Sequence, residues 1–237
     1  MNILTTNQRI TTRHMPAPTN RKIQIKLRTI ALMNTLRIEV RAKNPHQFSI
    51  WIQENASNLS WPDLVDSNRL YKYFKGNVSR HPDQILKMLD QIFGNIENKY
   101  WSGPEGLWTA LWGDTQNLSE NIKNTCKISE KDSIENAINK FFMTILVHGE
   151  SSLLSSLSIY RFLSITDPYS RFSDGNGFSR AHNAYEQTLK NLETTEAKSR
   201  LTALGVFEAV RQEIIEIERA RIALKPAWVT SLEFARL

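Results

Sequence analysis

Between Ile134 and Leu146 the apolar side chains fall at Ile134, Ala137, Ile138, Phe141, Phe142, Ile145 and Leu146. Steps of three and four residues gather them on one side of an α-helix but scatter them over both faces of a strand, so the segment buries its apolar surface only as a helix. The spacing recurs at Ile23, Leu27, Ile30, Met33 and Leu36, at Ile85, Leu86, Leu89, Ile92 and Phe93, and from Leu201 through Leu204, Phe207, Val210, Ile214 and Ile217. Strand-type alternation is scarce. The expected class is all-α, and 41% hydrophobic residues in 237 supply an ordinary core.

Proline and glycine punctuate the pattern. Residues 1–22 lack an apolar period and read as a basic flexible arm. A first helix is expected from Ile23 to about Ala42, ended by Pro45, and a second over His46–Ala56. Leu59 to Val65 reads as a turn with apolar anchors. A helix capped by Asp66 or Ser67 stops at Gly76, and another runs from Pro82 to Gly94. "KYWSGPEGLWTALWGD" reads as a junction, in which Trp108, Leu111 and Trp112 form a core stripe. Residues 114–128 read as a polar connector. Helices follow to Gly149, over 151–165, 179–192 and 195–224, with Pro226 after the last. The expected organisation is an arm (1–22), an N-terminal helical domain (23–113) and a C-terminal helical bundle (129–237).

Charge is unevenly distributed. Residues 1–46 hold nine bases and one acid, Glu39, hence +8; with +6 overall, residues 47–237 carry −2. A basic N-terminal part points to a polyanionic partner, with a solubilising arm or an acid-free transit segment as alternatives. No stretch is apolar over the length that spans a bilayer, and the N-terminus is too polar for a secretory signal. With one cysteine, Cys126, no internal disulfide forms. A cytoplasmic protein is expected.

Catalytic constellations are sparse. The five histidines, 14, 46, 81, 148 and 182, are far apart, and only His182 with Glu186 has the i, i+4 spacing of a metal-binding pair. Cys126 has no histidine near it in sequence, and no phosphate-binding glycine loop occurs. No enzyme activity, metal or cofactor is therefore expected. Phe172, Asp174, Gly175, Asn176 and Gly177 resemble part of the Fic adenylyltransferase signature. Ser170 stands where that family has its histidine and Phe178 where it has its arginine, and a tight Asp-Gly-Asn-Gly turn explains the same letters.

The stretch "LVDSNRLYKYFKGNVSRHPDQILKMLDQIF" resembles the lambda-repressor/Cro-like (XRE-type) helix-turn-helix family, from its recognition helix into the following helix. Val65, Asp66, Leu70, Tyr73, Gly76, Pro82, Ile85, Leu86 and Leu89 occupy the positions that carry the likeness. The family's preceding helix is replaced by "NASNLSWPDL", with Pro62 where a helix should continue. The resemblance implies that residues 23–113 form a helix-turn-helix-like domain, and that the chain is a DNA-binding transcriptional regulator or a factor of a bacterial mobile element or phage. Ser67, Asn68, Arg69 and Lys72 would meet base edges, while Lys75, Arg80, Arg21, Lys22, Lys26 and Arg28 would meet phosphates. The C-terminal helices would form a homodimer or hold a protein partner. The alternative is a helical adaptor or assembly subunit without catalytic activity.

Overall fold

The computed structural model describes residues 21–55, 70–127, 129, 133–148, 151–168 and 179–223. Every regular element among them is helical, so the chain is all-α. The helices are α1 (Arg21–Glu39), α2 (Pro45–Asn55), α3 (Tyr71–Phe74), α4 (Asp83–Phe93), α5 (Ile96–Ser102) and, after a 3-10 turn (Pro104–Gly106), α6 (Leu107–Trp112). There follow α7 (Thr115–Thr125), α8 (Ile134–His148), α9 (Leu153–Thr166), α10 (Arg180–Leu192), α11 (Thr195–Ala203) and α12 (Phe207–Ala223).

Two apolar cores form, and α1 contributes to both. Its Leu32, Met33 and Leu36 join Phe48 and Ile52 of α2, Phe74 of α3, Ile85, Leu86 and Leu89 of α4, and Ile96 and Tyr100 of α5. Its Leu27, Ile30 and Ala31 join Trp108 and Leu111 of α6, Ile122 of α7, Phe141 of α8, Leu157 and Tyr160 of α9, and Val210 and Ile214 of α12. Complete burial of each such aliphatic or aromatic side chain contributes about 1.5–3 kcal/mol. Asn34 ties α1 to the end of α11, donating from Nδ2 to the Leu204 carbonyl at 3.2 Å.

Three boundaries differ from the sequence expectation, each for a local reason. Arg41, at φ 58°, ends α1 before Pro45 is reached: Ala42 N–H returns to the Arg37 carbonyl and Arg41 N–H to that of Ile38. Pro45 instead begins α2, where Asn44 Oδ1 accepts from Gln47 N–H. The expected connector at 114–128 contains α7, capped by Asp114 and buried along Leu118 and Ile122 against α9. The expected helix 195–224 is two helices, because Gly205 takes φ 72° and Val206 N–H closes on the Leu201 carbonyl.

Candidate nucleic-acid interface

The site is assembled where α3 crosses the first turns of α1. Leu70 and Phe74 anchor α3 inward, with Phe74 edge-on to Phe48 at 5.7 Å. That anchoring turns Tyr71, Lys72 and Lys75 outward. Gly76 then reverses the chain at φ 65°, with its N–H on the Tyr73 carbonyl. A Cβ at Gly76 would stand 2.5 Å from Lys26 Cγ and 2.8 Å from Ile30 Cδ1, so the absence of a side chain lets α1 pass directly beneath. Lys26 is thereby placed beside the Lys72–Lys75 turn.

Beyond Gly76 a cleft of about 490 Å³ opens, lined by Lys72, Tyr73, Asn77, Arg80, His81 and Asp83 among others. No acid occurs between Arg21 and Ile38 or between Leu70 and Pro82. Asp83 is the first, and its carboxylate is held below the ordinary range chiefly by its hydrogen bond with His81. His81 Nδ1 lies 2.7 Å from Asp83 Oδ1; an ionised carboxylate only accepts, so Nδ1 is the donor. The imidazole stacks on Trp101 with centroids 5.2 Å apart and planes 10° apart.

Trp101 in turn meets α1. The Arg28 guanidinium lies 4.4 Å from its ring centroid and 5.3 Å from that of Trp112. Arg28 is only 9% exposed, its Nε has no hydrogen-bond partner, and burial lowers its pKa. Trp101 itself remains 45% exposed and donates from Nε1 to Glu97 Oε1 one turn earlier. At the far end of α1, Glu39 is engaged with Lys99 at 3.3 Å, away from the basic turns.

The structure therefore brings Lys26, Lys72, Lys75 and Arg80 together as exposed cations, with Arg21 and Lys22 exposed at the start of α1. Arg28, expected from sequence to meet phosphate, is instead turned inward beneath two indoles and offers its charge to them. Ser67, Asn68 and Arg69 lie outside the described residues, as do Val65, Asp66 and Pro62 of the helix-turn-helix likeness. Leu70, Pro82, Ile85, Leu86 and Leu89 of that likeness are buried and Tyr73 is half-buried. Tyr71, His81 and Trp101 join the site from the structure alone; aromatics interleaved with lysines in "RLYKYFK" are the signal that the sequence offers for the first of them.

A second polar centre lies among the C-terminal helices. Glu218 of α12 accepts from Arg221 at 2.7 and 2.6 Å and from the Tyr160 hydroxyl at 3.1 Å, and His182 Nδ1 stands 3.0 Å away. Although burial alone would raise it, the Arg221 and His182 contacts bring the Glu218 pKa down to about 2. Burial pushes Tyr160 well above the ordinary tyrosine value. His182 also lies 3.7 Å from Glu186, yet no group of three potential ligands converges among the described residues. Arg221 further donates to the Pro168 carbonyl and reaches the Ser179 hydroxyl at 3.4 Å, joining the two ends of the stretch that holds the Fic-like motif. The motif, Phe172 to Gly177, lies outside the described residues.

The fold and this surface together define an all-α chain with a basic, aromatic-flanked cleft. No family model matches the chain, and no curated protein or solved structure does so. No helix among the described residues is long and apolar enough to cross a membrane.

Proposed function

We propose that this chain is a DNA-binding protein, and that the surface formed by α1, α3 and the Asn77–Asp83 segment receives the phosphate backbone. The observation that carries the reading is the Gly76–Lys26 contact, 50 residues apart in sequence, which sets the basic start of α1 beside the basic α3 turn. A row of cations with few interspersed acids attracts a polyanion through counterion release. Base reading by Ser67, Asn68 and Arg69, and a role as a transcriptional regulator or mobile-element factor, extend this proposal along the helix-turn-helix resemblance. The protein is expected to work in the cytoplasm without a cofactor.

The test is a salt titration of binding to labelled duplex DNA. The full chain should bind with a steep negative dependence on salt. Lys72→Glu with Lys75→Glu should lower affinity about 10-fold or more, and should reduce the logarithmic slope by about 0.9 for each phosphate that is no longer neutralised. Affinity indifferent to salt and to the double reversal would remove the proposal.

A second reading, a helical adaptor, draws on α8. Met143, Leu146 and Val147 stand at i, i+3, i+4 and are 59%, 70% and 67% exposed, an apolar stripe of the kind that meets protein partners. Light scattering after size exclusion would favour that reading if a multimer of the full chain dissolves in Leu146→Lys.

A further inference from the structure

The exposed large aromatic side chains among the described residues are Tyr71, at 49%, and Trp101, at 45%. Every other tryptophan, tyrosine or phenylalanine there is buried or half-buried. Neither ring lines the basic cleft itself, but Tyr71 precedes the cleft residue Lys72 on α3 and Trp101 stacks on the cleft residue His81, and both stand beside a cation: Lys75 Nζ lies 5.4 Å from the Tyr71 ring centroid and the Arg28 guanidinium 4.4 Å from that of Trp101. Tyr73, half-buried, lines the cleft itself with Lys72 Nζ at 5.0 Å. Lys26 packs at Gly76, Lys72, Tyr73 and His81 line one cleft, and His81 stacks on Trp101, whose ring meets Arg28 of α1.

An exposed indole or phenol gains from being covered by a flat apolar partner, and the base planes of an undistorted duplex are already stacked on one another. Unpaired bases can. Rings that alternate with cations let bases stack while the backbone runs along the charges, which is the arrangement of single-strand binding surfaces. Trp101 is also held in place beforehand, by Glu97 at Nε1 and by the His81 stack, so little ring freedom is lost when a base arrives.

We infer that the basic face around the cleft takes single-stranded rather than duplex DNA, with unpaired bases covering the exposed parts of the Tyr71 and Trp101 rings and phosphates meeting Lys26, Lys72, Lys75 and Arg80. The inference rests on the reading of this face as a DNA-binding surface and names the form of DNA it holds, in place of the duplex groove that the helix-turn-helix resemblance implies.

The experiment measures fluorescence anisotropy of the full chain with labelled oligothymidylate and, at the same salt, with a labelled duplex of mixed sequence. Oligothymidylate should bind more tightly. Tyr71→Ala and Trp101→Leu should each weaken oligothymidylate about 10-fold and the duplex by much less, whereas Trp101→Phe, which keeps a ring, should recover most of the loss. Both positions are exposed, and far-ultraviolet circular dichroism confirms that the variants fold. Tighter binding of the duplex, or aromatic variants that match the parent on oligothymidylate, would overturn the inference, while the DNA reading survives if Lys72→Glu with Lys75→Glu still weakens the duplex. If that double reversal alters neither ligand, the underlying reading fails together with the inference.

Discussion

Lys26 packs across Gly76: a methyl group on that glycine would come within 2.5 Å of Lys26 Cγ and 2.8 Å of Ile30 Cδ1. The lysine stem can swing away, but Ile30 is core, and the φ of 65° is strained for any L side chain. Gly76→Ala should therefore destabilise the fold by about 1–3 kcal/mol, read as a lower urea midpoint at unchanged m-value. The folded fraction should also bind DNA less well than the parent, because the two basic segments are spread apart. A midpoint equal to that of the parent would show that α1 and α3 do not meet as described.

Arg28 is a buried guanidinium with no ion pair to an acid among the described residues, and its Nε has no hydrogen-bond partner there. Two indole faces offset part of the desolvation. Arg28→Met keeps an unbranched apolar stem there and removes the charge, so it should change stability by no more than about 1 kcal/mol, whereas Arg28→Ala, which empties the space, should lose about 2 kcal/mol or more. Affinity for DNA should stay within about twofold in Arg28→Met, since a phosphate pair on this residue would instead cost about tenfold. A loss as large as that of Lys72→Glu would mean that Arg28 turns outward to the ligand.

Much of the helical order is legible in the sequence because proline and glycine bracket it, as Pro82 and Gly94 do for α4. What the sequence hides is set by contacts between distant segments. The break between α11 and α12 is concealed because the apolar period of Leu201, Leu204, Phe207 and Val210 runs straight through Gly205. At the surface the cations are visible as letters, but a buried and an exposed arginine look alike in sequence. Arg28 differs from Lys26 in lying beneath the indoles of Trp101 and Trp112, 73 and 84 residues away. Trp101 and Trp108 share one tryptophan-rich junction, yet Trp108 is sealed in the core and Trp101 is not.

α7 supplies a check on the core it shares with α9. Its only buried residues are Leu118 and Ile122, one turn apart, and both are fully enclosed against α9. So few apolar positions in a polar stretch leave little periodic signal, although their burial makes them structural. Leu118→Ala should lose about 2–5 kcal/mol of stability. A residue in a solvated connector would lose less than about 0.5 kcal/mol, so the urea midpoint separates the two cases.

Two buried carboxylates on α12 respond oppositely to acid. Glu213 accepts from Trp112 Nε1 at 3.0 Å, and burial raises its pKa; its ionised form opposes folding, and that penalty is relieved as pH falls through its own raised value. Glu218 is held near 2 by Arg221 and His182, against an ordinary value of 4.5. Its folded pKa lies below the unfolded one, so its contribution is complete above about pH 4.5 and disappears as pH drops toward 2. At neutral pH, Glu218→Gln should lose about 3–5 kcal/mol, because it removes the buried carboxylate that Arg221, itself 8% exposed, and His182 share. Below about pH 4.5 the unfolded parent protonates this carboxylate while the folded one stays ionised until pH approaches 2, so the difference between parent and Glu218→Gln should shrink across that window. Urea denaturation of both proteins at neutral pH and at intervals between 4.5 and 2 measures that difference directly, and comparing parent with variant cancels the Glu213 contribution. A difference that stays constant through this window would show that the Arg221 and His182 contacts do not hold the Glu218 proton off.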